Sequence, residues 1–305
     1  MGKVSFVFPG QGAQYPGMGR SLCEISPAAA EVFAMADAVR PGTSAQCFDG
    51  SEAELKETKI TQPCLWTVEM AAAAALQEAG IRADVCAGFS LGELSALSYV
   101  SVVDISTCFE LICQRGALMQ AAAEAVDTSM AAVVKLDNEI VEAICARFEG
   151  VYPVNYNCPG QVTVAGLRSS MADFSAAIKE AKGRALPLKV SGGFHSPFMA
   201  EASESFGEAL ADVEFRTPAI PMYSNLTGDL YSGDMKALLK KQISSPVRWE
   251  TIIRNMIADG VDTFIEVGPG NVLQGLISKI DKTVRVFGVS DAESLANTIQ
   301  EVKTC

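Results

Sequence analysis

The chain has 305 residues, 24 Lys plus Arg against 36 Asp plus Glu for a net charge of −12, and a single histidine. With 49% hydrophobic and 20% charged residues, it holds enough apolar material for a substantial core in one large domain or two unequal ones, which excludes disorder. The acidic balance argues against nucleic acid or an anionic membrane surface as partner, and the longest apolar run, Met70 to Leu76, is far short of the roughly 20 residues that span a bilayer.

Along the chain, Val4 to Phe8 is a short β-rich apolar run ending at Pro9-Gly10-Gln11-Gly12, a buried strand entering a glycine turn. The run reaches that turn too early for a secretory leader, so a cytoplasmic location is expected. Polar helical stretches follow, and Gln62-Pro63 is expected to open a helix from about Cys64 to Ala79 that closes at Gly80. Asp84 to Phe89 reads as a buried strand, Leu91 to Tyr99 as a helix, and Ile105 to Ala123 as a helix capped by Asp104.

Beyond Ser129 the order changes to strand (Met130 to Leu136), helix (Asn138 to Phe148), two strands (Val151 to Tyr156, Gln161 to Ala165), helix (Ser170 to Lys182) and strand (Ala185 to Val190). This β-α-β-β-α-β order is that of a ferredoxin-like unit, inserted at 128–191 into a larger domain formed by 1–127 and 192–305. The larger pattern then resumes. Helices are expected over Met199 to Leu210, around Ser232 to Gln242, from Trp249 to Ala258 and from Asn271 to Ile280, and strands at Ile220 to Tyr223, Thr263 to Val267 and Val284 to Val289. Buried strands alternating with helices give an α/β class with a mostly parallel sheet covered on both faces.

The nine cysteines include no C-x-x-C pair, so neither a zinc motif nor a disulfide framework is expected, and they read as reduced, mostly buried residues. The Gly-Pro-Gly at 268–270 lacks the Lys and Ser/Thr of a phosphate loop and reads as a strand-to-helix turn.

Gly88-Phe89-Ser90-Leu91-Gly92 is a G-x-S-x-G sequence between an expected strand and an expected helix. That is the context of a nucleophile elbow, in which a tight turn leaves no room for Cβ on either side of the serine. A serine in a tight βα turn without chemistry is the alternative. A serine hydroxyl needs a base, usually histidine, and only His195 is available.

The blocks Phe8-Pro9-Gly10-Gln11-Gly12-Ala13-Gln14, Gly88 to Glu93, Gln114-Arg115-Gly116, Asn155-Tyr156-Asn157-Cys158-Pro159-Gly160-Gln161, Phe194-His195-Ser196-Pro197, Ser245-Pro246-Val247-Arg248-Trp249 and Glu266 to Gly270 occur in that order. Together they resemble the malonyl-CoA:acyl carrier protein transacylases and the related polyketide acyltransferase domains, over residues 3 to 289. The resemblance implies a large α/β-hydrolase-like domain with the ferredoxin-like insert, Ser90 as acyl carrier and His195 as base. It places the oxyanion hole at the backbone N–H groups of Gln11 and Leu91, and Arg115 on the malonate carboxylate, a fork that lysine cannot reproduce. It also implies that Arg248 supplies the main-chain carbonyl orienting the histidine, that Asn157 lines the site near it, and that Phe194 is the residue of malonyl users rather than methylmalonyl users. Phe89 departs from the histidine usual before the nucleophile.

The implied reaction moves malonyl from malonyl-CoA to the phosphopantetheine thiol of an acyl carrier protein, with no metal or other cofactor, in a monomer. An acidic carrier would need a local basic patch, for which Lys182 with Arg184, Lys189, or Lys279, Lys282 and Arg285 are candidates. A discrete polyketide malonyl acyltransferase, a serine acyl hydrolase and a non-catalytic carrier-binding module are the rival readings. The chain's freestanding length favours a discrete fatty acid enzyme over the polyketide reading.

Overall fold

The computed structural model describes residues 2–188, 190 and 192–303. In chain order its first part is β1 (Lys3–Phe8), α1 (Arg20–Ile25), α2 (Pro27–Val39), α3 (Thr43–Asp49), α4 (Thr58–Glu78), β2 (Val85–Gly88), α5 (Leu91–Tyr99) and α6 (Ile105–Ala125). Next come β3 (Thr128–Val134), α7 (Asn138–Cys145), β4 (Val151–Cys158), β5 (Gln161–Leu167), α8 (Met171–Glu180) and β6 (Arg184–Pro187). The chain closes with α9 (Ala200–Leu210), α10 (Met235–Gln242), α11 (Trp249–Ala258), β7 (Val261–Val267), α12 (Val272–Ile280), β8 (Arg285–Val289) and α13 (Ala292–Lys303). None of the described helices is long and apolar enough to cross a membrane.

The first sheet runs β2-β1-β7-β8, parallel throughout. Alternate side chains of a strand point to opposite faces, and both faces here are apolar. Val4, Phe6 and Phe8 pack with α2, α4, α5 and α6 in one core, while Val7, Phe264 and the Val85 and Ala87 side chains pack with α11 and α12 in another. The ends of β1 and β2 lie side by side, Phe8 opposite Gly88. The turns carrying Gln11 and Ser90 therefore leave the same edge of the sheet, where ligands of parallel α/β sheets collect.

The second sheet, β4-β5-β3-β6, is antiparallel and made wholly of segments between Thr128 and Pro187. With α7 and α8 on one face it is the ferredoxin-like unit. Ala131, Val133, Val162 and Val164 face those helices, whereas Met130, Val154 and Ala165 on the other face join the large domain's core. The cleft between that face and the edge of the parallel sheet is where the site lies.

Three expectations change. Helix α4 begins at Thr58, not Cys64, and runs through Pro63; proline removes one intrahelical bond, and the preceding turn is held from outside by the Thr58 N–H on Gln120 Oε1 at 2.7 Å. The segment Ile220 to Tyr223 forms isolated bridges rather than a strand, Met222 parallel to Cys86 of β2 and Tyr223 antiparallel to Leu230. The third difference is an addition, the amphipathic helix α13, which lies beyond the last element the sequence pattern predicts.

Candidate active site

Ser90 sits between β2 and α5 with φ 56° and ψ −106°, a strained conformation of the kind concentrated at functional positions. Its neighbours allow the turn only as glycines. A Cβ on Gly88 would lie 1.8 Å from the Gly92 carbonyl carbon, and one on Gly92 would lie 2.1 Å from the Phe8 oxygen. Asn225, just past the segment bridged to β2, staples the turn: its Oδ1 accepts the Ser90 N–H at 2.7 Å and its Nδ2 donates to the Gly88 carbonyl at 2.5 Å. With the Ser90 N–H so engaged, the free amide beside the nucleophile is that of Leu91, the first residue of α5, which has no intrahelical acceptor.

Ser90 Oγ lies 2.6 Å from Nε2 of His195, which is 3% exposed. On the other side of the ring, Nδ1 lies 2.9 Å from the main-chain oxygen of Gln242. A carbonyl only accepts, so Nδ1 carries the proton and Nε2 presents its lone pair to the serine. Burial first, and the nearby Arg115 second, push the His195 pKa down to about 4, which keeps the imidazole neutral near pH 7 and able to take a proton. Gln242 is the last residue of α10, where carbonyls lack intrahelical donors.

The orienting carbonyl is therefore not that of Arg248. The Arg248 oxygen accepts the Ile252 N–H at the start of α11, and its exposed side chain donates to the Leu226 carbonyl.

Arg115, on α6, is fully buried. Its NH1 donates to Gln62 Oε1 at 2.9 Å and its NH2 to Gln242 Oε1 at 2.8 Å, with Ser90 Oγ 3.4 Å from NH2. Its Nε has no hydrogen-bond partner. Burial lowers its pKa to about 10, opposed by Glu93, so it is cationic near neutrality. Glu93, buried on α5, accepts the Asn225 N–H and the Tyr231 hydroxyl on Oε1 and Gln242 Nε2 on Oε2. The direct hydrogen-bond acceptors of this buried cation are neutral, with Glu93 one side chain away behind Gln242, so a substrate anion can become its direct partner at the nucleophile.

Gln11, Gln62, Phe89, Leu91, Asn155, Phe194 and the Ser90–His195 pair line a cavity of about 90 Å³. It adjoins an outer cavity of about 450 Å³, also bordered by Gln11, Phe89 and Asn155, that reaches Lys56, Gln161 and Leu276. Asn157 borders the outer cavity rather than the serine and histidine, donating to Thr163 Oγ1 at 3.1 Å. Asn155 is the block's residue at the inner cavity. Phe89 packs edge-on against Trp249, ring centroids 5.5 Å apart, so the usual polar neighbour of the nucleophile is replaced by an apolar wall.

Among the basic candidates, Lys182, Arg184 and Lys282 are exposed, and Lys279 donates to Gln161 at the outer cavity's rim. Arg285 is engaged with Asp262 and Thr263. Lys189 lies outside the described residues. Sequence reasoning missed Gln62, Gln242, Asn225 and Tyr231; Glu93 stood in a recognised block without a role. Neutral buried amides carry no periodic or charge signature.

Residues 5–304 match the family described as acyl transferase domain. The chain is similar to the malonyl CoA-acyl carrier protein transacylase of Bacillus subtilis (strain 168), 38% identical over 99% of this chain and 98% of that one. The enzyme of the same name from Escherichia coli (strain K12) is 35% identical over 98% and 100%. Among solved structures, the malonyl CoA-acyl carrier protein transacylase of Clostridium perfringens superposes with a TM-score of 0.96 at 34% identity, covering 99% of this chain and 98% of that one. A malonyl-transacylase in complex with its type II PKS acyl-carrier protein superposes with a TM-score of 0.94 at 34% identity, over 98% and 99%.

Proposed function

The chain belongs to the acyl transferase domain family, among its malonyl-CoA–acyl carrier protein transacylases, and from that membership we propose how its own residues move a malonyl group from malonyl-CoA to an acyl carrier protein. The observation that carries the reading is one serine oxygen flanked at 2.6 Å by a neutral imidazole nitrogen and at 3.4 Å by a buried guanidinium.

Ser90 Oγ attacks the thioester carbonyl as His195 Nε2 takes its proton, and Gln242 holds the resulting imidazolium through Nδ1. The Leu91 and Gln11 N–H groups receive the oxyanion; such donors are typically worth about 3 kcal/mol each. Collapse expels the CoA thiolate, which takes the proton from His195. Arg115 meanwhile pairs with the malonyl carboxylate, which stands one methylene beyond the reacting carbonyl and so within reach of a guanidinium beside Oγ. The carrier's phosphopantetheine thiol then gives its proton to His195 and attacks malonyl-Ser90; as the Ser90 oxygen leaves it takes that proton from His195 Nε2, which releases malonyl-carrier and restores the serine and the neutral imidazole. One thioester replaces another, so the cycle draws on no cofactor beyond its substrates.

We read the carrier as one of fatty acid synthesis, and the enzyme as a cytoplasmic monomer. The relative solved with a type II PKS carrier favours a second reading, a polyketide carrier, distinguished by comparing kcat/KM for the two carriers. A hydrolase of neutral esters would gain nothing from Arg115. The test is labelled malonyl-CoA followed by carrier protein. Label retained on wild type, absent from Ser90→Ala and chased to carrier faster than to water is expected; hydrolysis without chase overturns the transferase reading.

A further inference from the structure

We propose that Glu93 is a positioning residue that sets the acyl preference of the site, by holding the Gln242 amide with its oxygen toward Arg115. The inference rests on the transferase reading above and concerns a carboxylate that touches neither Ser90 Oγ nor the guanidinium.

Three donors converge on Glu93, the Asn225 N–H (3.0 Å), the Tyr231 hydroxyl (2.6 Å) and Gln242 Nε2 (2.6 Å). Burial pushes the Glu93 pKa up to about 7, opposed by the donors on both oxygens and by Arg115; those donors hold the group in the acceptor-only geometry of the carboxylate. Gln242 stands between it and Arg115: Nε2 serves Glu93 and the Ser90 carbonyl (2.7 Å), leaving Oε1 for the guanidinium (2.8 Å). An amide has one donor end and one acceptor end, so the choice at Glu93 dictates what Arg115 meets. Turned over, the amide would aim N–H groups at a buried cation and its oxygen at two other oxygens.

Glu93→Gln breaks this logic with minimal change of shape. The Asn225 N–H is main chain and cannot reverse, so it claims the new side chain's oxygen. The new NH2 then faces Gln242, whose amide must turn. Arg115 loses its acceptor and its aim at a three-carbon diacid, while a two-carbon acyl group without a carboxylate never uses Arg115.

The experiment compares Ser90 acylation by labelled malonyl-CoA and acetyl-CoA. Glu93→Gln is expected to lower the malonyl-to-acetyl ratio of kcat/KM by about 10- to 100-fold, chiefly through the malonyl KM, with acetyl loading within about 3-fold. Because the effect passes through Gln242, it should vanish in a Gln242→Met background. Glu93→Asp, which keeps the charge one methylene short, should fall between. Equal losses on both substrates, or full additivity with Gln242→Met, overturn the proposal. Should Glu93→Gln fail to fold, an unchanged ratio in Glu93→Asp overturns it instead. A wild type that takes no malonyl label sinks the transferase reading itself, a result distinct from either.

Discussion

Gln242 meets His195 through its main chain and Arg115 through its side chain: the carbonyl oxygen is 2.9 Å from the imidazole Nδ1, and Oε1 is 2.8 Å from the guanidinium. Substitution of the side chain therefore separates the two tasks. Gln242→Ala keeps the carbonyl, so the reaction of Ser90 with a neutral sulfonyl fluoride, which needs the base alone, should stay within about 10-fold of wild type, while kcat/KM for malonyl-CoA falls about 100-fold. Parallel losses in both measurements would show that the side chain, not the carbonyl, holds the histidine.

Arg115 is expected to resist conservative replacement. Two of its nitrogens are tied to Gln62 and Gln242, an arrangement that fixes the plane of the fork. A lysine ammonium offers a point charge on a flexible stem, so Arg115→Lys should raise the malonyl-CoA KM by about 10- to 100-fold. Arg115→Ala should remove malonyl preference and leave acetyl loading comparatively intact. Steady-state kinetics on both thioesters checks this, and retained malonyl preference in Arg115→Ala would remove the guanidinium from substrate recognition.

Much of this site was legible in the sequence for reasons that are steric or arithmetic. Gly88 and Gly92 announce a turn because no Cβ fits there, and a chain with one histidine leaves no choice of base. The family resemblance points to Arg248 for the orienting carbonyl, and sequence cannot correct this because every residue has a carbonyl; which one is free depends on where a helix ends, and α10 ends at Gln242. Pro63 likewise looked like a helix start, yet tertiary contacts at Thr58 carry the helix past it. The network runs from Gln62 through Arg115 and Gln242 to Glu93 and Asn225, and its direct bond between Gln242 and Glu93 joins residues 149 positions apart, a proximity that only the packed fold creates.

The pH dependence of Ser90 reactivity follows from the burial of His195. Its pKa of about 4 lies below the ordinary 6.5, so the base form persists well into acid. Inactivation by the neutral sulfonyl fluoride should be nearly flat from about pH 8 to about pH 5.5, where an unperturbed histidine would already have cost about 10-fold. Stability moves the other way. As pH falls from 6.5 toward 4, the unfolded chain takes up a proton that the folded one refuses, so the folded state loses stability across that window. An inactivation midpoint near the ordinary histidine value would contradict the desolvated site.

Two glycine substitutions should act in opposite directions on stability, and the difference tests the steric account of the elbow. At Gly88 an added methyl meets the Gly92 main chain at 1.8 Å, with β2 and α5 both fixed around it. Neither neighbour is a flexible side chain, so Gly88→Ala should lower the melting temperature by several degrees, a loss of at least about 2 kcal/mol, and displace Ser90 from His195. Gly275 lies exposed on α12, and an added methyl there meets nothing within 4 Å. Alanine removes backbone freedom from the unfolded chain and favours the helix, so Gly275→Ala should gain about 0.5–1 kcal/mol with acyl transfer unchanged. Calorimetric melting of both variants decides the matter: a Gly88→Ala enzyme with wild-type stability and activity would mean that the strand-to-helix turn does not need its glycine.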